Sequence, residues 1–362
     1  MKKIIFAAYS MDVGGIEKAL VTITNYLCEK GYKITIVLEK KQGVFLKEIN
    51  PQINIIEYNP SESENILKRK IINLFKRLKF IVKYKNKFDF SASFATYSLV
   101  SSFVSRVASK NNYLWGHADY LTLFNKDKQK VKEFFEERSY SKFKKIVFVS
   151  NEGKESFIDV FPEMKEKTMV CNNIIDAEKI IKMSEEKIDT NKDKEITFLN
   201  VGRHEEIQKK LTRLIEASKL LKDDGYDFKV LLVGDGPDND LYRKKVKENN
   251  LEENILFLGK KENPYPYFKI SDCVILTSEY EGYPVVFLES FILNKPLITT
   301  KVSDYKEVEE GRGLTTTKDV KDIYEKMKYF IENGFQITKE FDSKKYNEEI
   351  YNKIENLIEG NN

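Results

Sequence analysis

Apolar residues along this chain follow two alternating rhythms, short unbroken runs and stripes with helical spacing, and the alternation occurs twice. KIIFAAY reads as a strand, IEKALVTITNYLCEKG as a helix with Ile16, Ala19, Leu20, Ile23 and Leu27 on one stripe, and YKITIVLE as the next strand. FDFSASF, NYLWGH and KKIVFVS continue the series as strands. The polar segment from Asp176 to Lys194 breaks the pattern and reads as a connection. The alternation then restarts with EITFLNVG, a helix carrying Leu211, Leu214, Ile215 and Leu221, and the strands FKVLLVGDG, NILFLG, CVILTS and PLITT, each separated by a helix. A last amphipathic helix has Ile350, Ile354, Leu357 and Ile358 on one face. The pattern predicts an α/β protein of two Rossmann-like, doubly wound domains facing each other across a cleft. Their expected bounds are 1–176 and 195–345, joined by a linker over 177–194, with the helix 346–362 packing back on the first domain.

Length agrees, since 362 residues with 41% hydrophobic content exceed what one core usually organises. The 61 basic and 57 acidic residues nearly balance, which argues against a dedicated nucleic-acid binder. No apolar run approaches the roughly 18 residues needed to span a bilayer, and MKKIIFAAYS lacks a long apolar signal core, so a cytoplasmic protein is expected. Cys28, Cys171 and Cys273 stand apart among apolar neighbours and read as buried free thiols, and the two histidines, His117 and His204, argue against a zinc site. One local charge feature stands out. The segment Lys68 to Lys87 carries nine basic side chains and no acid, interleaved with apolar residues, and fits either an anionic membrane surface or an amphipathic helix packed on its domain.

Candidate chemistry concentrates after strands. In EYEGYPVVFLESF, Pro284 reads as the first residue of a helix, placing Glu281 in the turn between a strand and that helix. Glu289 lies two turns further on, about 80° around the helix, so the two acids would touch different parts of one long ligand or else be a loop carboxylate and a partly exposed helix residue. Arg203, just past a strand, and Lys209, at the start of the next helix, are cations suited to a phosphate chain, whereas Lys210 and Arg213 read as solvated helix charges. Gly14 and Gly15 open a helix whose N-terminus could receive a diphosphate. Asp238 and Asp240 form a D-x-D read as favouring a helix dipole rather than holding a metal, and His117 is either an ordinary histidine or a site residue beyond a strand end.

Taken together, GGIEK, WGHADY, VCNNIID, VGR…QKKLTRLIEA, LLVGDGPDND, FLGKKENPYPYFKISDCVILTSEYEGYPVVFLES and PLITTKVSDYKEV make the chain resemble the family 4 retaining glycosyltransferases of GT-B fold, of the bacterial capsular or surface-polysaccharide type. The resemblance implies transfer of a sugar from a UDP-sugar to a lipid-linked, undecaprenyl-type saccharide, without a metal or other cofactor, at the inner face of the plasma membrane. It also implies roles. Arg203 and Lys209 would hold the diphosphate, Glu281 would face the donor sugar, and Gly282, Tyr283, Pro284 and Val285 would add main-chain contacts. Glu289 would bind the ribose, the Gly259–Asn263 loop would meet the base, His117 would lie near the sugar, and Gly14 and Gly15 would approach the phosphates or the acceptor. The chain departs from the family where Lys209-Lys210 replaces the usual Lys-Gly and Asn173-Ile174 the usual Asn-Pro. A sugar-nucleotide epimerase of the same fold and a non-catalytic nucleotide-sugar binder remain alternatives.

Overall fold

The computed structural model describes residues 1–12, 14–188 and 194–360, which form two compact units. Unit 1 comprises 1–175 together with 344–362, and unit 2 comprises 176–343. Among the described residues, unit 1 holds a seven-stranded parallel sheet. Its strands are β1 (Lys3–Ala8), β2 (Lys33–Leu38), β3 (Asn54–Glu57), β4 (Phe90–Ser93), β5 (Asn112–Gly116), β6 (Lys145–Phe148) and β7 (Thr168–Val170), in the order β3-β2-β1-β4-β5-β6-β7. Unit 2 holds a six-stranded parallel sheet of β8 (Ile196–Val201), β9 (Phe228–Val233), β10 (Ile255–Gly259), β11 (Cys273–Leu276), β12 (Leu297–Thr300) and β13 (Gly313–Thr316), ordered β10-β9-β8-β11-β12-β13. Both sheets therefore reverse direction at a switch point, between β1 and β4 in one and between β8 and β11 in the other.

The central strands form because helices cover both faces. All four residues of β4, β11 and β12 are buried, as are five of six in β1 and β2, which is why they read as continuous apolar runs. The unit 2 core joins the strand residues Phe198, Val230, Ile275 and Ile298 to Leu214 and Ile215 of the helix Leu211–Asp223 and to Ile323, Met327 and Phe330 of the helix Val320–Asn333. Three strands absent from the sequence reading, β3, β7 and β13, are edge strands of three or four residues with incomplete burial, too short to show a period.

Two boundaries are corrected. The expected linker is largely structured: Ala177–Ser184 is a helix with Asp176 as its cap, packed on the helices Tyr265–Ile270 and Val285–Ile292 of unit 2. Asn263 Nδ2 donates to Met183 O at 2.8 Å, and Lys269 pairs with Glu185 at 2.6 Å, so this helix belongs to unit 2. The part of that expectation covering 189–193 lies outside the described residues. Pro284 is the cap of the helix Val285–Ile292, with ψ 102°, rather than its first residue.

The last helix, Ser343–Glu359, buries Ile350, Ile354, Leu357 and Ile358. Its Leu357 carbonyl accepts from Asn111 Nδ2 at 2.9 Å and from Tyr113 OH at 3.1 Å. Asn347 accepts from the Ile175 N–H at 3.1 Å and donates to the Ile175 carbonyl at 2.6 Å, fastening the two places where the chain leaves and rejoins unit 1. The three cysteines are buried and free, and burial pushes the Cys171 thiol up to about 12.

Candidate active site

In unit 2 the loops after β8 and β11 emerge side by side at the switch point, where ligands of open α/β sheets are received. The strands are locked together below the loops, since the buried Asn200 amide donates to the Ile275 carbonyl at 2.7 Å. The loops are then joined to each other. Glu279 N–H donates to Gln208 O at 2.7 Å, and the Thr277 hydroxyl donates to the carbonyls of Lys209 and Lys210 at 3.2 Å each.

Inside this frame Lys209 Nζ meets Glu281 Oε1 at 2.6 Å, with the two side chains only 17% and 7% exposed. A carboxylate this buried needs donors, and it has them. Ser278 Oγ donates to Oε1 at 2.7 Å and Gln208 Nε2 to Oε2 at 3.2 Å. The backbone is held as well, because Ser303 Oγ donates to the Glu281 carbonyl at 2.7 Å. Sequence reasoning missed Gln208, Ser278 and Ser303. Gln208 adjoins Lys209 in the sequence, but Ser278 and Ser303 are ordinary loop and strand-end residues without a local signal.

Lys209 and Lys210 are separated by backbone conformation. Lys210 takes the left-handed region, φ 50° and ψ 45°, as it caps the helix Leu211–Asp223, which is where a glycine is easiest to place. That turn sends Lys210 towards Glu206, 3.8 Å away, and leaves Lys209 to run over Gly202, where an added Cβ would stand 3.3 Å from Lys209 Cε. The turn after β9 also needs close backbone approach, since a Cβ on Gly234 would fall 1.8 Å from Gly202 O.

Arg203 does not converge with Lys209 on Glu281. Its side chain is 64% exposed and pairs with Glu205 at 3.3 Å. Arg213, expected to be solvated, is instead largely buried and pairs with Glu279 at 2.5 Å, while Lys318 takes the other Glu279 oxygen at 2.6 Å. Burial would raise the Glu279 carboxyl, but the hydrogen bonds from Lys318 and Arg213 outweigh it and hold it below its ordinary range. Glu289 is buried, not the partly exposed helix residue of the plainer reading, and accepts from Tyr265 OH at 3.1 Å. Tyr283 is buried with its hydroxyl on Glu307 at 3.0 Å, so among Gly282, Tyr283, Pro284 and Val285 it is the main chain at the helix start that is available to a ligand.

Asn263 is a structural tie. Its amide serves Met183 O and Glu186, both at 2.8 Å, and its oxygen accepts from Tyr265 N–H at 3.1 Å, so the Gly259–Asn263 loop offers a base its backbone and the exposed Lys260, Lys261 and Glu262 rather than Asn263. Asp238 accepts from the Glu206 N–H at 2.7 Å and precedes the helix Asn239–Glu248, in keeping with a structural role. His204, given no site role in the sequence reading, is buried beside it with Nδ1 on Asn239 and Nε2 unpartnered, and burial lowers its pKa.

In unit 1, His117 follows β5. Its Nε2 is sealed from solvent without a partner, its ring meets Phe94 edge-on at 4.6 Å, and burial takes its pKa down to about 3, so the imidazole is neutral. Asp119 caps the next helix through Leu121 and Thr122 N–H groups, at 3.1 and 3.2 Å. Gly14 is extended, φ −178°, and the Glu17 carboxylate folds back over it, 2.3 Å from where a Cβ would be. An acid already fills the space in front of this helix, which weighs against a phosphate at Gly14 and Gly15.

The arrangement in unit 2 presents a buried carboxylate, the cation paired with it, and a helix N-terminus together at a strand-end site. Such a set can hold a phosphorylated ligand and place a carboxylate against a reacting centre. Residues 182–352 match the family described as Glycosyl transferases group 1. The chain is 29% identical over 167 residues to an uncharacterized glycosyltransferase of Methanocaldococcus jannaschii, a match covering 44% of this chain and 41% of that protein, so it spans less than half of that relative. It is 27% identical over 310 residues, 83% of this chain and 81% of the other, to the N-acetylgalactosamine-N,N'-diacetylbacillosaminyl-diphospho-undecaprenol 4-alpha-N-acetylgalactosaminyltransferase of Campylobacter jejuni. The crystal structure of Anabaena Alr3699/HepE in complex with UDP and glucose superposes with a TM-score of 0.77 at 18% identity, covering 98% of this chain and 100% of that one. The chain thus has the GT-B fold of two Rossmann-like domains, and its residues 182–352 are similar to the Glycosyl transferases group 1 family.

Proposed function

We propose that this protein is a metal-independent, retaining glycosyltransferase that moves a sugar from a UDP-sugar to an undecaprenyl-linked saccharide in surface-polysaccharide synthesis, working at the cytoplasmic membrane surface. The observation that carries the reading is the buried Lys209–Glu281 pair at the switch point of unit 2. In the reaction the anomeric C–O bond breaks with its electron pair going to the diphosphate, the acceptor hydroxyl oxygen bonds to the anomeric carbon, and the hydroxyl proton is released. Negative charge grows on the leaving group and positive charge on the sugar. Lys209, drawn from Glu281 to the incoming diphosphate, and Arg203, free to swing from its exposed pair with Glu205, stabilise the first. The main chain at Gly282 to Val285 adds helix-terminal N–H groups. Glu281, released from Lys209 but still held by Ser278 and Gln208, faces the donor sugar. Glu289 takes the ribose hydroxyls in exchange for its bond to Tyr265. His117, neutral and with an unused ring nitrogen, is the sugar's hydrogen-bonding group in this reading, which requires its sealed Nε2 to be uncovered when the donor binds.

UDP as the nucleotide and a lipid diphosphate as the acceptor carrier are supported by the UDP-bound HepE structure and the undecaprenol-named Campylobacter relative. The test is a thermal-shift and donor-hydrolysis screen of UDP-, GDP-, ADP- and dTDP-sugars with and without EDTA. One UDP-sugar is expected to stabilise the protein, equally in EDTA, with the effect lost in Glu289→Ala. Stabilisation that EDTA abolishes would overturn metal independence, and interconversion of the donor without acceptor would identify an epimerase.

A further inference from the structure

The helix Ile66–Tyr84 of unit 1 has two apolar faces, and only one of them is used. It is fixed to its unit by Phe80, whose ring meets Tyr58 at 6.0 Å and Phe103 at 5.9 Å, by Asn73 on Ser61, and by Lys76 on the Asn59 carbonyl. Asn65 caps it by accepting from the Lys68 N–H at 3.0 Å. Phe80 is its sole buried residue. At about 100° per residue, Leu67, Ile71, Leu74, Phe75, Leu78 and Val82 fall within an arc of about 100°, roughly opposite Phe80. All six are exposed, with Leu67 at 73%, Phe75 at 67% and Val82 at 85%. Scattered apolar side chains on a surface are ordinary, but six on one stripe of one helix are an unpartnered face.

The charge around the stripe indicates what covers it. Lys68 and Lys79 border one side and Lys70 the other, while Arg77 turns back over the Phe103 ring at 5.5 Å, and Lys68 to Lys87 contains nine basic residues and no acid. We infer that the exposed stripe Leu67–Val82 is the surface by which this protein lies on an anionic lipid bilayer, the helix parallel to the membrane with its apolar side chains among the acyl chains and its basic rims among the headgroups. A second copy on the same face would oppose two basic rims, which like-charge repulsion disfavours. Among the described residues no helix is long and apolar enough to cross a membrane, so attachment through this face would be reversible. The inference deepens the membrane-surface part of the proposed function and rests on it.

The test uses the full chain with phosphatidylcholine vesicles, with and without phosphatidylglycerol, in sedimentation at low and high salt. Wild type is expected to bind the anionic vesicles at least about tenfold more tightly than the neutral ones and to lose that margin in high salt. Leu74→Glu with Phe75→Glu, both at exposed positions, should weaken binding about 100-fold while leaving the melting temperature and slow donor hydrolysis at wild-type levels. Equal affinity for both vesicles, no binding to either, or undiminished binding of the variant would each overturn the inference. So would a wild-type dimer that the double substitution converts to monomer. Normal vesicle binding by a protein that hydrolyses no nucleotide-sugar would uphold the docking surface and overturn the proposed reaction instead.

Discussion

Replacing Lys209 by Met, which keeps the length of the stem and removes the charge, tests whether the pair with Glu281 is a functional device or a structural bridge. The substitution leaves a carboxylate with 7% side-chain exposure facing no cation, with Ser278 and Gln208 still donating to it. Removing one member of a buried pair commonly destabilises by 3–5 kcal/mol, and the two remaining donors put this case at the lower end, about 3 kcal/mol. Glu281→Gln strands a Lys209 side chain that is 17% exposed and can reach water, so about 1–2 kcal/mol is expected. The double substitution removes both charges and should be less damaging than the sum, with a coupling of about 1–2 kcal/mol. For a domain of this size, the Lys209→Met loss corresponds to about 6–12 °C in the melting temperature of unit 2, readable by scanning calorimetry. Activity should not follow stability. If Lys209 serves the diphosphate and Glu281 the sugar, all three variants lose transfer, and the double variant recovers fold but no turnover. Additive stabilities, or a double variant that regains activity along with stability, would refute the assignment of separate roles.

Three further outcomes follow from the same geometry. Lys210→Gly should leave stability unchanged or slightly raised, whereas Lys210→Val, β-branched at φ 50°, should destabilise by about 1–2 kcal/mol in urea unfolding. Glu279→Gln should destabilise by about 1–2 kcal/mol at neutral pH; because the folded carboxyl lies below its unfolded value of 4.5, that difference should close as pH falls below 4.5, and a gap that persists in acid would contradict the clamp by Arg213 and Lys318. His117 stays neutral in the fold down to about 3 while the unfolded chain takes up a proton near 6.5, so acid between these values erodes stability by up to about 1.4 kcal/mol per pH unit, and His117→Gln should lessen that slope in urea midpoints measured from pH 7 to 5.

The fold was legible in the sequence where burial is two-sided. CVILTS and FKVLLVGDG announced β11 and β9 because helices cover both their faces, whereas GLTT and TMV, at sheet edges, carry no such run. The polar stretch from Asp176 misled because the helix Ala177–Ser184 is short and buries only Ile180 and Ser184. At the candidate site, the placing of Glu281 and Lys209 in turns after strands was legible because such turns can be counted along the chain. Ser278 and Ser303 were not, since Ser278 reaches Glu281 through the local shape of a three-residue turn and Ser303 does so through the pairing of β11 with β12, a tertiary fact. Arg213 was misjudged for a related reason: its position on an amphipathic helix says which way it points, but not that Glu279 from another loop waits there.

The fastening of Ile175 to Asn347 carries a consequence for how the protein is made. Synthesis runs from the N-terminus, so all of 176–343 leaves the ribosome before the segment that completes unit 1. Until then Asn111 and Tyr113 lack the Leu357 carbonyl, and the apolar ground that will receive Ile350, Ile354, Leu357 and Ile358 stands open to water. Unit 2 can close on its own continuous chain during that interval. The nascent protein would therefore mature in reverse, its second unit finished first, with its last helix acting as the latch that closes the first.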